Sequence, residues 1–288
     1  MPQWNCGCRN CQEARTKGPG RTHASVAVSA DGERWILLNA SPDLRTQVAA
    51  HPSLWPTGSR ETPITAVVLT DAEIDSTLGL MLLRESSSKL PVYAPPGVSA
   101  LLTDRWPLYS VLSSYCGVEP RPVPDGETVS LTDGAGQRLG ISCTAVPIAR
   151  RPPRYAGAAP AGIFGVGISL RDESTGATLA YVPSAPAIDA AVRAIGAGAD
   201  LLLFDGTFWS DGELRAAGVD APTAREMGHL PIGGAGGSLE ALPALGASRT
   251  VLVHINNTNP ILYPSSAERV MMKRMGVEVG EDGMEFTL

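Results

Sequence analysis

Short apolar runs punctuated by Gly and Pro dominate the chain. The runs Ala24–Val28, Trp35–Asn39, Ala66–Leu69, Val92–Ala94, Leu139–Val146, Val166–Leu170, Leu179–Val182, Leu201–Phe204, Val251–His254 and Met284–Leu288 read as strands. Ala24–Val28 and Trp35–Asn39 flank Asp31-Gly32, and Val166–Leu170 and Leu179–Val182 flank Thr175-Gly176; both are hairpin signals. Helical stretches are fewer. Pro42–His51 follows Ser41 as N-cap, with Pro at the first helical position. Asp75–Glu85 carries Leu78, Met81 and Leu82; Pro186–Ile195 closes at Gly196; Asp211–Ala217 closes at Gly218. Ser238–Leu245 and Ser265–Met275 follow. Arg150–Pro160, rich in Pro, Ala and Arg, reads as a loop. Strands first, then strands alternating with helices, predict an α/β (α+β) chain: two mixed sheets with helices outside, an αββα four-layer sandwich. No internal repeat interrupts it, and residues 1–288 read as a single domain.

Composition narrows the classes. With 43% hydrophobic and 18% charged residues, the 288-residue chain can bury a sizeable core, which excludes disorder. A net charge of −6 argues against nucleic acid as a partner. No apolar run approaches the ~20 residues of a membrane span. The opening Met1-Pro2-Gln3-Trp4-Asn5-Cys6 has neither the charged nor the apolar region of a signal peptide, so a cytoplasmic location is expected.

Cys6, Cys8 and Cys11 place three thiols within six residues. In a reducing compartment such spacing favours metal or redox chemistry over disulfides, and thiolates two and three residues apart can face one tetrahedral zinc. A structural Zn site on segment 2–23 is the preferred reading, with buried thiols or a redox pair as alternatives. His23, Asp43 and Asn257 are candidates for the fourth ligand. Cys116 and Cys143 read as small core residues.

Three apolar strands end in ligand-capable residues. Ala66–Leu69 leads to Asp71, Glu73 and Asp75; Leu201–Phe204 delivers Asp205; Val251–Val253 delivers His254, followed by Asn256, Asn257 and Asn259. One site at a sheet edge is the functional reading, and ordinary turn chemistry is the alternative. His254 is the best candidate ligand. His229, in a Gly-flanked segment, is a ligand, a general acid/base or an exposed turn residue.

Pro2–Cys6 with the Cys cluster, Asn39–Asp43, Ile74-Asp75 with Leu83–Glu85, Phe204–Thr207, Arg225–His229 and His254–Pro260 together resemble the pyrroloquinoline quinone biosynthesis protein B family, a branch of the metallo-β-lactamase superfamily. The resemblance implies the αββα fold. It maps the superfamily's H-x-H-x-D-H motif onto Asp71, Glu73, Asp75 and Ser76, its bridging Asp onto Asp205 and its final His onto His254. Ser76 departs from the family's His, and the later hydrolase His near Val146–Ile148 is absent. An oxygen-rich ligand set suits Fe(II) or another divalent metal better than a zinc pair. The resemblance therefore implies an iron-dependent oxygenase that hydroxylates a tyrosine-derived, peptide-derived aromatic precursor. Glu73, Asp75, Asp205 and His254 would hold metal, with Asp75 and His229 catalytic. Arg150 and Arg154 would meet substrate carboxylates, Arg presenting a bidentate fork, with Asn256 and Asn259 as further substrate contacts. A non-catalytic carrier of the cofactor and a diverged metallo-hydrolase are the competing readings, and a homodimer is a candidate assembly. Family members carry a strand and a Gly-rich turn before the Pro-Gln-Trp-Asn segment. The expectation is that its absence exposes a sheet edge, and that an upstream extension would improve solubility.

Overall fold

The computed structural model describes residues 1–18, 20–158 and 162–288. Where the sequence reads as one domain, the contacts cluster into two compact units. The first is Met1–Thr22 with Thr178–Leu288, and the second is His23–Ala177.

In the second unit, strands β1 (Val26–Val28), β2 (Trp35–Leu38), β3 (Ile64–Val68), β4 (Leu90–Ala94) and β5 (Val118–Pro122) form a sheet in that order. β1 pairs antiparallel to β2, and the remaining pairs are parallel. β2, β3 and β4 are nearly continuous apolar runs because both faces of a parallel sheet are covered. The core beneath them gathers Leu37, Val67, Val92, Leu102 and Leu112. β6 (Thr128–Thr132), β7 (Arg138–Pro147) and β8 (Val166–Asp172) make an antiparallel ribbon, and the alternating burial of β7 marks a half-buried strand.

In the first unit, β9 (Thr178–Val182), β10 (Leu201–Asp205), β11 (Arg249–Val253) and β12 (Val277–Val279) run parallel. Helical segments join them, among them Ala190–Gly196, Glu213–Ala216, Ser238–Ala241 and Ala267–Arg274. Helix α1 (Arg9–Lys17) belongs to this unit. Parallel strands deliver their carboxyl ends to one edge, where open α/β sheets bind ligands. Asp205 and His254 lie at that edge.

Several expectations need correction. Met284–Leu288 is not a strand; Met284 and Leu288 are exposed, and among the described residues no strand pairs with the run. Asp75–Glu85 is helical only over Ile74–Thr77 and then tightens to a 3₁₀ segment, Leu78–Glu85. The N-cap of the next helix upstream, Leu44–Ala50, is Asp43 rather than Ser41. The helix expected from Pro186 starts at Ala190, capped by the Asp189 side chain on the Val192 N–H. The loop from Arg150 contains a 3₁₀ turn, Arg154–Ala156, and its last residues, Ala159 and Pro160, lie outside the described residues. The Asp172–Ala177 turn forms where Thr175-Gly176 predicts it, with Gly176 at φ +81°. Among the described residues, no helix is long and apolar enough to cross a membrane.

Candidate metal sites

Two side-chain groups in the first unit can each surround an ion. The first is Asp205, His229 and His254, whose ligand atoms lie within 4.8 Å of one another. β10 carries Asp205 into full burial because its apolar run is buried to the last residue. Gly206 follows, and only glycine fits: an added Cβ would stand 2.9 Å from both the Val253 carbonyl oxygen and the Leu252 Cβ. His254 leaves β11 with φ +55°, a left-handed conformation that costs a non-glycine residue ~1–2 kcal/mol and is typical of functional sites.

Asp205 is satisfied from several sides. Its Oδ2 accepts the Ala185 N–H at 2.9 Å and lies 2.8 Å from His229 Nδ1. Its Oδ1 accepts the Thr207 N–H at 3.0 Å and the Thr207 hydroxyl at 2.6 Å. Burial pushes this carboxyl up, but the charges of His229 and His254 and the bonds to His229 and Thr207 outweigh it, and the group is held below the usual carboxylate range. Thr207 Oγ1 also lies 2.8 Å from His254 Nδ1 and 3.1 Å from His229 Nδ1. It is the common partner of all three. The two imidazoles stack with centroids 5.6 Å apart, and Phe208 meets His229 edge-on.

The donor chemistry fits a divalent ion. Two donors ~2.1 Å from one octahedral ion, at right angles, stand ~3.0 Å apart. The 2.8 Å between His229 Nδ1 and Asp205 Oδ2 is close to that spacing. Two His and one carboxylate are the ligand set of non-haem iron sites.

The second group is Cys6, Cys8 and Cys11, with sulfurs within 4.8 Å of one another. Tetrahedral thiolates 2.3 Å from zinc stand ~3.8 Å apart, so the cluster suits that ion. All five cysteines are free thiols. Cys8 is the N-cap of α1, where helix N–H groups favour negative sulfur. Burial raises the Cys8 thiol, but the Cys11 N–H, Asn257 and Cys6 outweigh it and bring the thiol down. Burial and the neighbouring Cys8 and Cys6 sulfurs push the Cys11 thiol up. Arg15 ties the segment together by donating to the Cys6 and Gln3 carbonyls at 2.7 Å. Of the three candidates for a fourth ligand, Asn257 lies at the cluster, its Nδ2 3.2 Å from Cys6 Sγ and 3.5 Å from Cys8 Sγ. His23 and Asp43 belong to the second unit and pair with each other at 2.6 Å. Cys143 is fully buried, its thiol pushed up to about 12 by burial, whereas Cys116 is half-buried.

The remaining sequence candidates are placed as follows. Asp71, Glu73 and Asp75 are in the second unit, and none belongs to either three-residue group. Arg150 engages Asp71 Oδ2 at 2.8 Å and Glu73 at 3.6 Å, so its guanidinium neutralises carboxylates of its own unit. Arg154 is exposed, and Ser76 is buried. Asn256 donates to the Thr258 hydroxyl at 2.6 Å. Asn259 is fully buried, donating to the Gly206 carbonyl at 2.9 Å and accepting the Ile261 N–H at 3.1 Å. Sequence reasoning missed three residues. Thr207 lies inside the Phe-Asp-Gly-Thr segment, yet a hydroxyl gives no signal of its partners. Asn10 sits between two cysteines without periodicity. Glu213 is buried, accepting the Trp209 N–H at 2.6 Å and the Thr258 hydroxyl at 2.5 Å, and burial raises its carboxyl above the usual range.

A beta-lactamase superfamily domain matches residues 34–255. Coenzyme PQQ synthesis protein B of Methylococcus capsulatus is 44% identical over 298 residues, covering 100% of this chain and 96% of its own length. The Cupriavidus necator protein of that name is 42% identical, covering 100% and 95%. The chain belongs to the coenzyme PQQ synthesis protein B family. A crystal structure of Zn(2+)-bound PqqB from Methylobacterium extorquens superposes with a TM-score of 0.90 at 36% identity, covering 100% of this chain and 95% of that one. The fold is accordingly the metallo-β-lactamase fold. Within this PQQ synthesis family the Asp205 group is a candidate metal site made of the sequence's own Phe-Asp-Gly-Thr, Met-Gly-His and His-Ile-Asn-Asn segments.

Proposed function

We propose that this member of the PQQ synthesis B family is an iron-dependent oxygenase that hydroxylates a tyrosine-derived precursor of the cofactor. The observation carrying the reading is the two-His, one-carboxylate group of Asp205, His229 and His254. An Fe(II) held by these three side chains would supply dioxygen activation. The chain's own residues do the rest. Asp205 brings a full negative charge into a buried position, and Ala185 and Thr207 N–H groups hold it there. The Thr207 hydroxyl adds a further bond to the same carboxylate. Phe208 walls His229 off from water. Cys6, Cys8 and Cys11 would hold a structural zinc, consistent with their spacing and with the N-terminus of α1.

Metal analysis and oxygen uptake test the proposal. The expected result is one zinc and one iron per chain, iron lost in His254→Ala, and oxygen consumed only with Fe(II), a two-electron reductant and a tyrosine-containing peptide substrate, one oxygen atom entering the ring and the other leaving as water. Zinc alone, with no oxygen uptake, would turn the assignment to a carrier of the cofactor, a reading that Ser76 favours. Two zincs with phosphodiesterase activity would overturn both.

A further inference from the structure

The loop after β11 is gripped from two sides. On one side, fully buried Asn259 donates to the Gly206 carbonyl at 2.9 Å and the Thr207 carbonyl at 3.3 Å, and the Asn256 N–H donates to Thr207 at 3.0 Å. On the other, the Nδ2 group of Asn10 donates to two loop carbonyls, Asn257 at 3.0 Å and Asn259 at 2.9 Å. Asn10 is buried and stands on α1 between Cys8 and Cys11. Asn257 closes the connection through its amide on the Cys6 and Cys8 sulfurs.

These contacts respond to the state of the sulfur. A Cys8 thiol donates to the Asn257 carbonyl at 3.5 Å. A metal-bound thiolate cannot donate, and it is a stronger acceptor for the Asn257 amide. Loading the thiolates therefore shifts Asn257 toward N–H···S bonding and frees its carbonyl for Asn10. The far end of the same loop bears on Thr207, the hub of the Asp205 group.

We infer that Asn10 is a positioning residue that couples the thiolate cluster to the Asp205–His229–His254 group, so that zinc on the thiolates raises the affinity of that group for a divalent ion. The inference rests on the metal-binding reading of both groups given above. Binding coupling is reciprocal, so an ion at the Asp205 group raises the zinc affinity of the thiolates by the same factor.

The test uses the full chain carrying zinc on its thiolates, with Mn²⁺ as probe and free Mn²⁺ measured by electron paramagnetic resonance. Asn10→Leu keeps the side-chain size and removes both donated hydrogens. It is expected to weaken Mn²⁺ binding about tenfold or more, the scale for losing a partner of metal ligands, with zinc content unchanged. Saturating Mn²⁺ should weaken zinc transfer to a chelator in the wild type and leave it unaffected in Asn10→Leu, a split that general loosening does not produce. Equal Mn²⁺ affinity in wild type and Asn10→Leu overturns the coupling. If that variant does not fold, zinc-stripped wild type decides: unchanged Mn²⁺ affinity overturns the coupling, and a tenfold loss supports it. A wild type whose Mn²⁺ binding is nil, or is untouched by Asp205→Asn, overturns the metal reading itself, and that arm separates the two failures.

Discussion

Thr207→Val keeps the shape of a buried side chain and deletes one oxygen. Thr207 is 7% exposed, so water does not replace that oxygen. The deleted hydroxyl donates to Asp205 Oδ1 at 2.6 Å and lies 2.8 Å from His254 Nδ1. A hydrogen bond to a charged group is worth ~1.5–3 kcal/mol, and the lost imidazole contact adds ~1 kcal/mol. The expected loss of stability is therefore about 3 kcal/mol. Thr207→Ser keeps the oxygen and removes one methyl, which costs ~0.8 kcal/mol. The order of stability should be wild type, Ser, Val, read from urea denaturation in a chelator at about pH 7.5 with slopes compared. Metal affinity should follow the same order, with Mn²⁺ binding to Thr207→Val about tenfold weaker or more. A Val variant within ~0.5 kcal/mol of wild type, with unchanged Mn²⁺ affinity, would refute the hub. A Ser variant as damaged as Val would assign the effect to methyl packing instead.

Other substitutions separate structural from functional roles. Arg150→Met leaves Asp71 buried without its cation and should cost about 3 kcal/mol by denaturation; unchanged stability with weaker substrate binding would restore the substrate-contact reading. Glu213→Gln tests the buried carboxyl. A raised carboxyl stabilises the fold below the unfolded value of ~4.3 and loses that contribution as pH rises through its folded value, so the variant should gain on wild type as pH rises above about 4. A stability difference that does not change with pH would contradict the raised carboxyl. Gly206→Ala forces a Cβ to 2.9 Å from the Val253 carbonyl oxygen, and a loss of about 2 kcal/mol or more is expected in thermal melts; a melt within ~0.5 kcal/mol of wild type would show that the two strands can part.

Burial explains which elements could be read from residue patterns. Leu201–Phe204 and Val251–His254 could be read as strands because parallel strands are covered on both faces and give apolar runs; the structure sets them at Leu201–Asp205 and Arg249–Val253, with His254 outside the strand. Val118–Pro122 was not legible because two prolines and two charged residues take four of its five positions; it lies at the end of its sheet's strand order, where prolines are tolerated. Helix Arg9–Lys17 escaped for a related reason. It buries only Asn10 and Cys11, so it has no apolar stripe to announce it. The helices Pro96–Asp104 and Leu108–Leu112 are rich in small and apolar residues on several sides, which blurs a helical period.

The candidate site divides along the same line. Asp205, His229 and His254 could be picked out singly because a carboxylate or imidazole beside an apolar strand end is unusual chemistry whatever surrounds it. Their grouping at one sheet edge was legible too, because parallel strands end together, but the choice of Asp205 over Asp75 was not, since 49 residues separate Asp205 from His254 and the parallel pairing of β10 with β11 sets them side by side. The groups that hold them are less visible still. Thr207, Asn10, Asn257 and Asn259 are side chains that the sequence uses everywhere for turns and caps, and their role depends on partners as far as 251 residues away. A short thiol-bearing segment at one end of the chain and a His-bearing loop near the other are thus physically one assembly, joined by the Asn10 and Asn257 side-chain amides. Removing either grip on the loop acts at His254, whose φ of +55° persists only while its surroundings hold it there.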